Sequence, residues 1–518
     1  MDAPAKGCDC LLIFPPLAKP CEPPAGIALL AGAVRGAGRR CRVLDANIEA
    51  VSFLLADTYE AEDTWSRRAL RHVAENMQTL RCRQGYDNFS RYQRAVADIN
   101  RVVELAGKQH GVTLQLTNYQ DATLSPLNSR DLLQAAQSPE SNIFFPYFSI
   151  RLKDIIAKEQ PYLVGFSLNF LSQALTTFAM IGFVKKHFPA LQVVVGGGLI
   201  TSWLRNPGWT NPFAGLIDHL IAGKGEGPLL ALLGQKPPKK DYIPDFQDIA
   251  DNPYLAPGLI LPYAASSGCY WNRCSFCPET AEKNPYTALP PDQVTEELTR
   301  LCTDYNPDLI HFLDNGVSPA LMSALADRPP GAPWYGFARA DRQLADPAFC
   351  RRLKQSGCLM LKLGLESGDQ SVLDAMDKGI NLAQVAAVLA ALHAAGIATY
   401  VYLLFGTPTE SIDQARKTLD FTVNHCREIT FLNLAVFNLP VCSPEAGYLA
   451  TNHFYTGDLS LYCDFIHPKG WNRKKIRRFL DREFKKHPAI VPIIRRDPPL
   501  FTSNHAPFFR PGSSASFQ

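Results

Sequence analysis

The chain has 518 residues, 46% hydrophobic and 19% charged, with a formal net charge of +3. Those totals suit a globular protein with room for about three domains, and a near-balanced charge implies neither a nucleic acid nor a membrane partner. No apolar run approaches the roughly 18 residues of a membrane span, and the N-terminus has no signal-peptide core. A cytoplasmic protein is expected, and its 14 cysteines then read as reduced thiols.

The first predicted strand, Cys10 to Phe14, ends at Pro15-Pro16. A helical stretch, Ile27 to Val34, follows and closes at Gly36 and Gly38. A second strand, Cys41 to Leu44, ends at Asp45. The alternation then breaks for about a hundred residues, from about 50 to 158. This insertion is helical, because Tyr92, Val96, Ile99 and Val103 repeat on one helix face. It reads as a packing subdomain or lid. The alternation resumes with a strand at Tyr162–Phe166 and a helix from Gln173 to Lys186. A strand at Leu191–Val195 ends in Gly196-Gly-Gly198. Another, Leu216–Ala222, ends in Gly223-Lys-Gly-Glu226. Such β/α alternation predicts a parallel sheet with right-handed crossovers. Ligands of these sheets bind at the carboxyl ends of the strands, so the glycine-rich ends are candidate cofactor loops.

Residues 236–257 are proline-rich and polar, as in a linker. Six further strands are predicted at Ile260–Ala264, Leu309–Leu313, Trp334–Phe337, Leu359–Leu365, Ile397–Phe405 and Ile429–Val436. Helices lie between most of them, one running from an N-cap at Asn381 to Gly396. Six β/α units predict a barrel or partial barrel with its chemistry at the strand C-termini. From about 451 a small helical extension begins. Its run Arg473-Lys-Lys-Ile-Arg-Arg478 reads as a solvated helix face. Phe501 to Phe509 has no physical reading from sequence. His311, His393 and His425 read as structural histidines. Cys302, Cys350, Cys358 and Cys426 read as small core residues. Cys442, at the end of the sixth strand, could face a substrate cavity.

The densest chemistry follows the first barrel strand: Gly268-Cys269-Tyr-Trp-Asn-Arg-Cys274-Ser-Phe276-Cys277-Pro278. Cubanes of iron and sulfide are normally held by four thiolates. Three in one run, with no matching fourth nearby, leave an iron open, as catalytic metal sites do. A zinc site would want a second pair of cysteines, which the sequence lacks. A non-catalytic iron–sulfur module for electron transfer or scaffolding is a further alternative.

This run, C-x4-C-x2-C, resembles the radical S-adenosylmethionine (radical SAM) superfamily. The usual triad is C-x3-C-x2-C, and the extra residue here is similar to the cobalamin-linked branch. The resemblance implies a [4Fe–4S] cluster on Cys269, Cys274 and Cys277, with Phe276 beside it. It implies that Asp314 and Asn315 hold the SAM amino group and that Arg339 meets its carboxylate or ribose. Gly364-Leu-Glu-Ser-Gly368, followed by Val372-Leu-Asp-Ala-Met-Asp-Lys-Gly379, is similar to that branch's signature, with Glu366 and Ser367 facing SAM. Gly406-Thr-Pro408 with Glu410 would lie near adenine.

The first half resembles the cobalamin (B12)-binding Rossmann domain of the same branch. Ser167, Asn169, Gly196, Gly197, Gly223 and Glu226 are the implied corrin-tail residues, with 26 residues separating Ser167-Leu-Asn169 from Gly196-Gly197. The family's cobalt-ligating histidine belongs in the loop after the first strand. The first histidine here is His72, inside the insertion, so cobalamin is expected without a histidine ligand from that loop. The resemblance implies an α/β chain: a Rossmann-like domain over 1–235, a linker over 236–257, a (β/α)6 partial TIM-barrel radical SAM core over 258–450 and a small α-rich extension over 451–518. It implies an enzyme that cleaves SAM to a 5′-deoxyadenosyl radical and methylates an unactivated carbon of a small-molecule or peptide substrate. A flavodoxin- or ferredoxin-type electron donor is implied with it. A radical cyclase or rearrangement enzyme without methyl transfer is the alternative within the family.

Overall fold

The computed structural model describes residues 7–236, 242–452, 457–499 and 505–510. The N-terminal sheet is parallel, in the order Cys41–Asp45, Cys10–Phe14, Leu163–Ser167, Gln192–Gly196, His219–Leu220. By chain order of these five strands this is 2-1-3-4-5, a doubly wound arrangement. The strands Cys10–Phe14 and Leu163–Ser167 are buried at every position. Apolar β-branched and leucine side chains on both faces explain that, since helices cover both sides. The strand order reverses between these two. The crevice beyond their carboxyl ends is flanked by the loop 15–24 and by Leu168-Asn169. The fifth strand is two residues long, shorter than the apolar run 216–222 predicts.

The insertion lies in the crossover between the second and third strands. Its main helix, Phe89–Gln109, buries Tyr92, Val96, Ile99 and Val103. Asn88 caps it by accepting from the Arg91 N–H at 3.0 Å. A hairpin, Val112–Gln115 with Asn118–Asp121, packs on this helix. The sequence reading had no strand there.

The second sheet has six parallel strands in chain order: Ile260–Tyr263, Leu309–Phe312, Trp334–Ala338, Cys358–Glu366, Ala398–Phe405 and Phe431–Val436. The first and sixth are edges, so the barrel is partial. Helices Pro291–Tyr305, Pro319–Asp327, Pro347–Gln355, Leu382–Ala394 and Ile412–Asn424 lie between successive strands. Asn381 caps its helix through the Ala383 and Gln384 amides.

Two expectations change. The segment after residue 241 is a packed strap, not a free linker. Phe246 and Ile249 are buried, and Asp245 and Asp248 pair with Arg35. The C-terminal extension is not simply helical. Tyr462–Phe465 pairs with Leu439–Pro440 and with Thr451–Asn452 in a small antiparallel sheet. The far C-terminal stretch also gains an account. Ala506 is fully buried among Ile260, Leu309, Met360, Ala398 and Phe431, at the N-terminal end of the barrel strands. His505 stacks on Tyr400, and Phe508 packs against Tyr86 and Tyr92 of the insertion. This segment plugs the bottom of the barrel. Residues 501–504 lie outside the described residues.

Candidate active site

The cysteine run leaves the first barrel strand and folds over the C-terminal face. Its extra residue is absorbed by a left-handed turn at Asn272 (φ 45°), a conformation that asparagine tolerates. Just before it, Trp271 reaches across to the segment 376–379. Its indole N–H donates to the Asp377 carbonyl at 2.9 Å, and the Ser275 N–H donates to the Met376 carbonyl at 3.0 Å. Arg339 lies over the Trp271 ring, 4.2 Å from its centre, and donates to the Lys378 carbonyl at 2.6 Å. Gly379 (φ 65°) sits under the indole, where a Cβ would come within 1.9 Å of Trp271. Lys378 lies 5.4 Å from the centre of the Phe276 ring. The string Met376-Asp-Lys-Gly379 therefore clamps the cysteine run, a physical role that its sequence pattern did not disclose.

Burial raises the Cys274 thiol above its ordinary pKa and pushes Cys277 up to about 11. Those two thiols, free of metal, are thus protonated at neutral pH, and a metal would displace their protons. Cys269, Cys274 and Cys277 lie within electrostatic reach of one another in sequence order. Among the described residues no three His, Cys, Asp or Glu side chains converge on a point as ligands of a single ion would. A cubane puts each thiolate on a different iron, and three thiolates in one loop suit such a group.

Asp314 is buried and Asn315 exposed, and both bond to protein. Asp314 is 2% exposed, accepts from the Ala265 N–H at 3.0 Å and is bonded to Ser266 Oγ. Asn315 donates to the Gly268 carbonyl at 3.1 Å. Both fix the limb that leads into Cys269. The expected partner of Asp314 is a ligand amine; in this structure both its oxygens accept from the loop. Its carboxylate is committed to the loop, and burial raises its pKa.

Glu366 does stand at the barrel mouth. It has a left-handed backbone (φ 67°) at an irregularity in strand register, a conformation that costs about 1–3 kcal/mol. It is paired with Lys378 at 2.9 Å, both side chains largely buried. A Cβ on Gly364 would lie 2.6 Å from the Glu366 carboxylate, so glycine makes room for the pair. Ser367 lies deeper. It is fully buried, 3.2 Å from Thr418 Oγ1, and accepts from the Asp369 N–H. Its hydroxyl anchors the following helix and faces away from the mouth.

Gly406 ends the fifth strand. Its N–H donates to Glu410 Oε2 at 2.6 Å, and Trp471 Nε1 donates to the same oxygen at 2.9 Å. Glu410 is fully buried, Oε1 has no partner among the described residues, and burial raises its pKa to about 7. Thr407 and Thr409 hydroxyls beside it are also buried and unpartnered. Sequence pattern placed this loop; only packing shows its unmet polar capacity.

In the first domain the expected residues come together at one strand edge. Asn169 donates to Ser167 Oγ at 3.0 Å and accepts from the Gly198 N–H at 2.9 Å. Gly197 (φ 111°) allows this, since a Cβ there would lie 2.4 Å from the Leu168 carbonyl. The Gly223 N–H donates to Thr201 Oγ1 at 2.9 Å. Glu226 opens the helix Glu226–Leu232. Gly196 makes only ordinary contacts.

One group escaped sequence reading. Glu22, from the loop after the first strand, accepts from or shares a proton with His311 at 3.0 Å inside the barrel. His311 stacks on Tyr335, and its other ring nitrogen lies 3.1 Å from Lys362 Nζ. Burial lowers Lys362 to about 8. The partners are 289 and 51 residues apart, so no local pattern announces them.

Residues 336–422 match the family model of the Radical SAM superfamily. The chain is 26% identical over 274 residues to bacteriochlorophyllide d C-12(1)-methyltransferase of Chlorobaculum tepidum, covering 49% of this chain and 58% of that protein. It is 23% identical over 343 residues to hopanoid C-3 methylase of Methylococcus capsulatus, covering 58% and 63%. It thus spans less than two thirds of either relative. Among solved structures, the methyltransferase TsrM of Kitasatospora setae, with tryptophan and a SAM analogue, aligns at TM-score 0.53 and 15% identity over 89% of this chain and 86% of that one. The cobalamin-dependent SAM radical enzyme OxsB, with aqua-cobalamin, aligns at 0.52 and 14% over 80% and 52%. At such identities the likeness is one of fold. Part of the barrel thus matches the radical SAM family model, and the chain as a whole is similar in fold to TsrM and OxsB.

Proposed function

We propose that this protein is a cytoplasmic, cobalamin-dependent radical SAM enzyme that methylates an unactivated carbon of a small molecule or peptide. The observation that carries the reading is the clamped triad of thiols at the barrel face. The chain also carries a Rossmann-type strand end cleared by Gly197. Cys269, Cys274 and Cys277 would hold a [4Fe–4S] cluster with SAM on the open iron, and Ser167, Asn169, Gly196, Gly197, Gly223 and Glu226 would line the cobalamin tail. The cluster supplies one-electron cleavage of SAM, and cobalamin supplies a methyl carrier. The loop 15–24 contains no histidine, so it offers cobalt none.

The chain's own residues bind and orient. Arg339 and Trp271 hold the cysteine run in place. Glu366, fixed by Lys378, presents a carboxylate at the mouth. Leu313 and Phe170, 38% and 53% exposed, stand at strand ends of the two halves and give each an apolar wall against water. Methylation is favoured because both curated relatives are named as methylating enzymes. A flavodoxin- or ferredoxin-type protein would supply the electrons.

The test is anaerobic reconstitution with iron, sulfide and cobalamin, followed by reduction with SAM present. Mass spectrometry should find 5′-deoxyadenosine from the native chain and none from Cys274→Ala. SAM carrying a deuterated methyl group should label the product, and an unlabelled product would support cyclisation or rearrangement instead. A reduced, reconstituted protein that makes no 5′-deoxyadenosine would overturn the reading.

A further inference from the structure

The C-terminal extension concentrates charge far beyond the chain average. Between Lys469 and Lys486 there are nine lysines and arginines against two carboxylates, a local excess of seven in a chain whose total is +3. The rest of the molecule is therefore net negative. Lys474, Arg478, Arg482 and Lys486 are exposed and form no ion pair among the described residues.

This basic face lies on the same end of the barrel as the cysteines. The helix Arg473–Phe479 seats on the ends of the fifth and sixth strands. Ile476 fills the space beside Gly406, and Arg473 donates to the Phe437 carbonyl at 3.1 Å and to Asn438 Oδ1 at 2.7 Å. The neighbouring strand Tyr462–Phe465 pairs with Leu439–Pro440, and Tyr462 lies within electrostatic reach of Cys277. At the rim of this small sheet, Tyr448 and Ile466 are 72% and 63% exposed. Arginine and tyrosine are both enriched in protein docking sites. A bilayer is the poorer fit. Ile476, Phe479, Leu480 and Phe484 are all buried, so the segment keeps no apolar face to insert.

We infer that this face docks an acidic one-electron donor protein that reduces the cluster. The inference rests on the radical SAM reading above. One electron leaves the donor's reduced flavin or iron–sulfur centre and enters the cluster held by Cys269, Cys274 and Cys277. No covalent bond forms or breaks.

The test uses the full reconstituted chain, a reduced bacterial flavodoxin as probe, and the triple variant Lys474→Glu/Arg478→Glu/Arg482→Glu. Complementary charge governs encounter and salt screens it. Flavodoxin-driven 5′-deoxyadenosine formation should fall about tenfold or more in the variant, while dithionite-driven formation stays within about twofold. Binding of oxidised flavodoxin, read by titration without turnover, should weaken with salt in the native chain and be lost in the variant. Arg67→Glu/Arg71→Glu, on the insertion, should change neither. Equal flavodoxin rates in native and variant proteins would overturn the inference, as would sedimentation with anionic vesicles in place of flavodoxin binding. Failure of dithionite to yield 5′-deoxyadenosine would instead count against the reaction itself.

Discussion

Replacing Gly379 by alanine should loosen the cysteine run without unfolding the barrel. The new Cβ would sit 1.9 Å from Trp271 in a backbone at φ 65°. The left-handed conformation costs about 1–2 kcal/mol for alanine. Displacing the indole forfeits its bond to Asp377, about 1 kcal/mol net, and the Arg339 contact, about 0.5–1 kcal/mol. Together these amount to about 3 kcal/mol, or roughly a hundredfold in the population of an opened loop. A chain this size does not unfold in two states, so a local readout is needed. Cys274 supplies one, being 8% exposed in the closed loop. Its alkylation rate in the metal-free protein, followed by peptide mass spectrometry, reports the opened fraction. We expect a rise of about a hundredfold in Gly379→Ala. Gly111→Ala is the control: φ is 69° there, but nothing lies within 4 Å of a Cβ, and Cys274 should be unaffected. A Cys274 rate in Gly379→Ala within about threefold of native would refute the clamp.

Lys378→Met would leave Glu366 unpaired at a site where both side chains are about nine-tenths buried. It should cost about 3 kcal/mol, and adding Glu366→Gln should restore most of the lost thermal stability. Gly197→Ala should break the link between Asn169 and Gly198; equilibrium dialysis should then show at least about tenfold weaker cobalamin binding, from a strain of about 1–2 kcal/mol. Glu410 gives a pH signature. Its folded pKa of about 7 lies above its ordinary 4.5, so folding favours the protonated acid. That contribution is complete below pH 4.5 and is lost as pH rises through 7. Glu410→Gln should therefore match the native melting temperature near pH 4.5 and exceed it progressively up to pH 8. Parallel melting curves would rule out a protonated Glu410.

The fold was legible because it is written in local period and punctuation. Strand ends at Pro15, Gly196 and Gly406 stop apolar runs, and Asn381 and Gly396 bracket a helix. The three cysteines were legible because one short loop carries them all. The partners of strand-end side chains were not legible. Asp314 and Ser367 occupy the strand ends where ligand-binding residues are expected, yet each side chain turns to a protein partner. Ser266 is 48 residues from Asp314, and Thr418 is 51 residues from Ser367. A strand-end position specifies where a side chain begins, and tertiary packing decides what it touches. The hairpin at 112–121 was missed for a different reason. With only four residues per strand, it is too short for an alternation to stand out against the long helix before it.

Glu22 shows how the two halves of the chain are tied together. The loop after the first strand is where a cobalt-binding histidine would belong by resemblance. Here that loop turns into the barrel instead. Its Pro20 carbonyl accepts from the Leu255 N–H at 2.7 Å, and Glu22 meets His311. Tyr254 donates to Asp45 at 2.7 Å from the barrel side. At the opposite end, Arg510 and Arg83 converge on Asp308, tying the plug and the insertion to the second barrel strand. These ties join segments hundreds of residues apart. They hold the Rossmann edge and the barrel mouth in one fixed relation. The proposed reaction, which shares a substrate between two cofactors, needs that relation set before either acts, because misplacement by about 1 Å can cost a hundredfold in rate. The loop 15–24 serves as a strut, with the Glu22 side chain 18% exposed and held against His311.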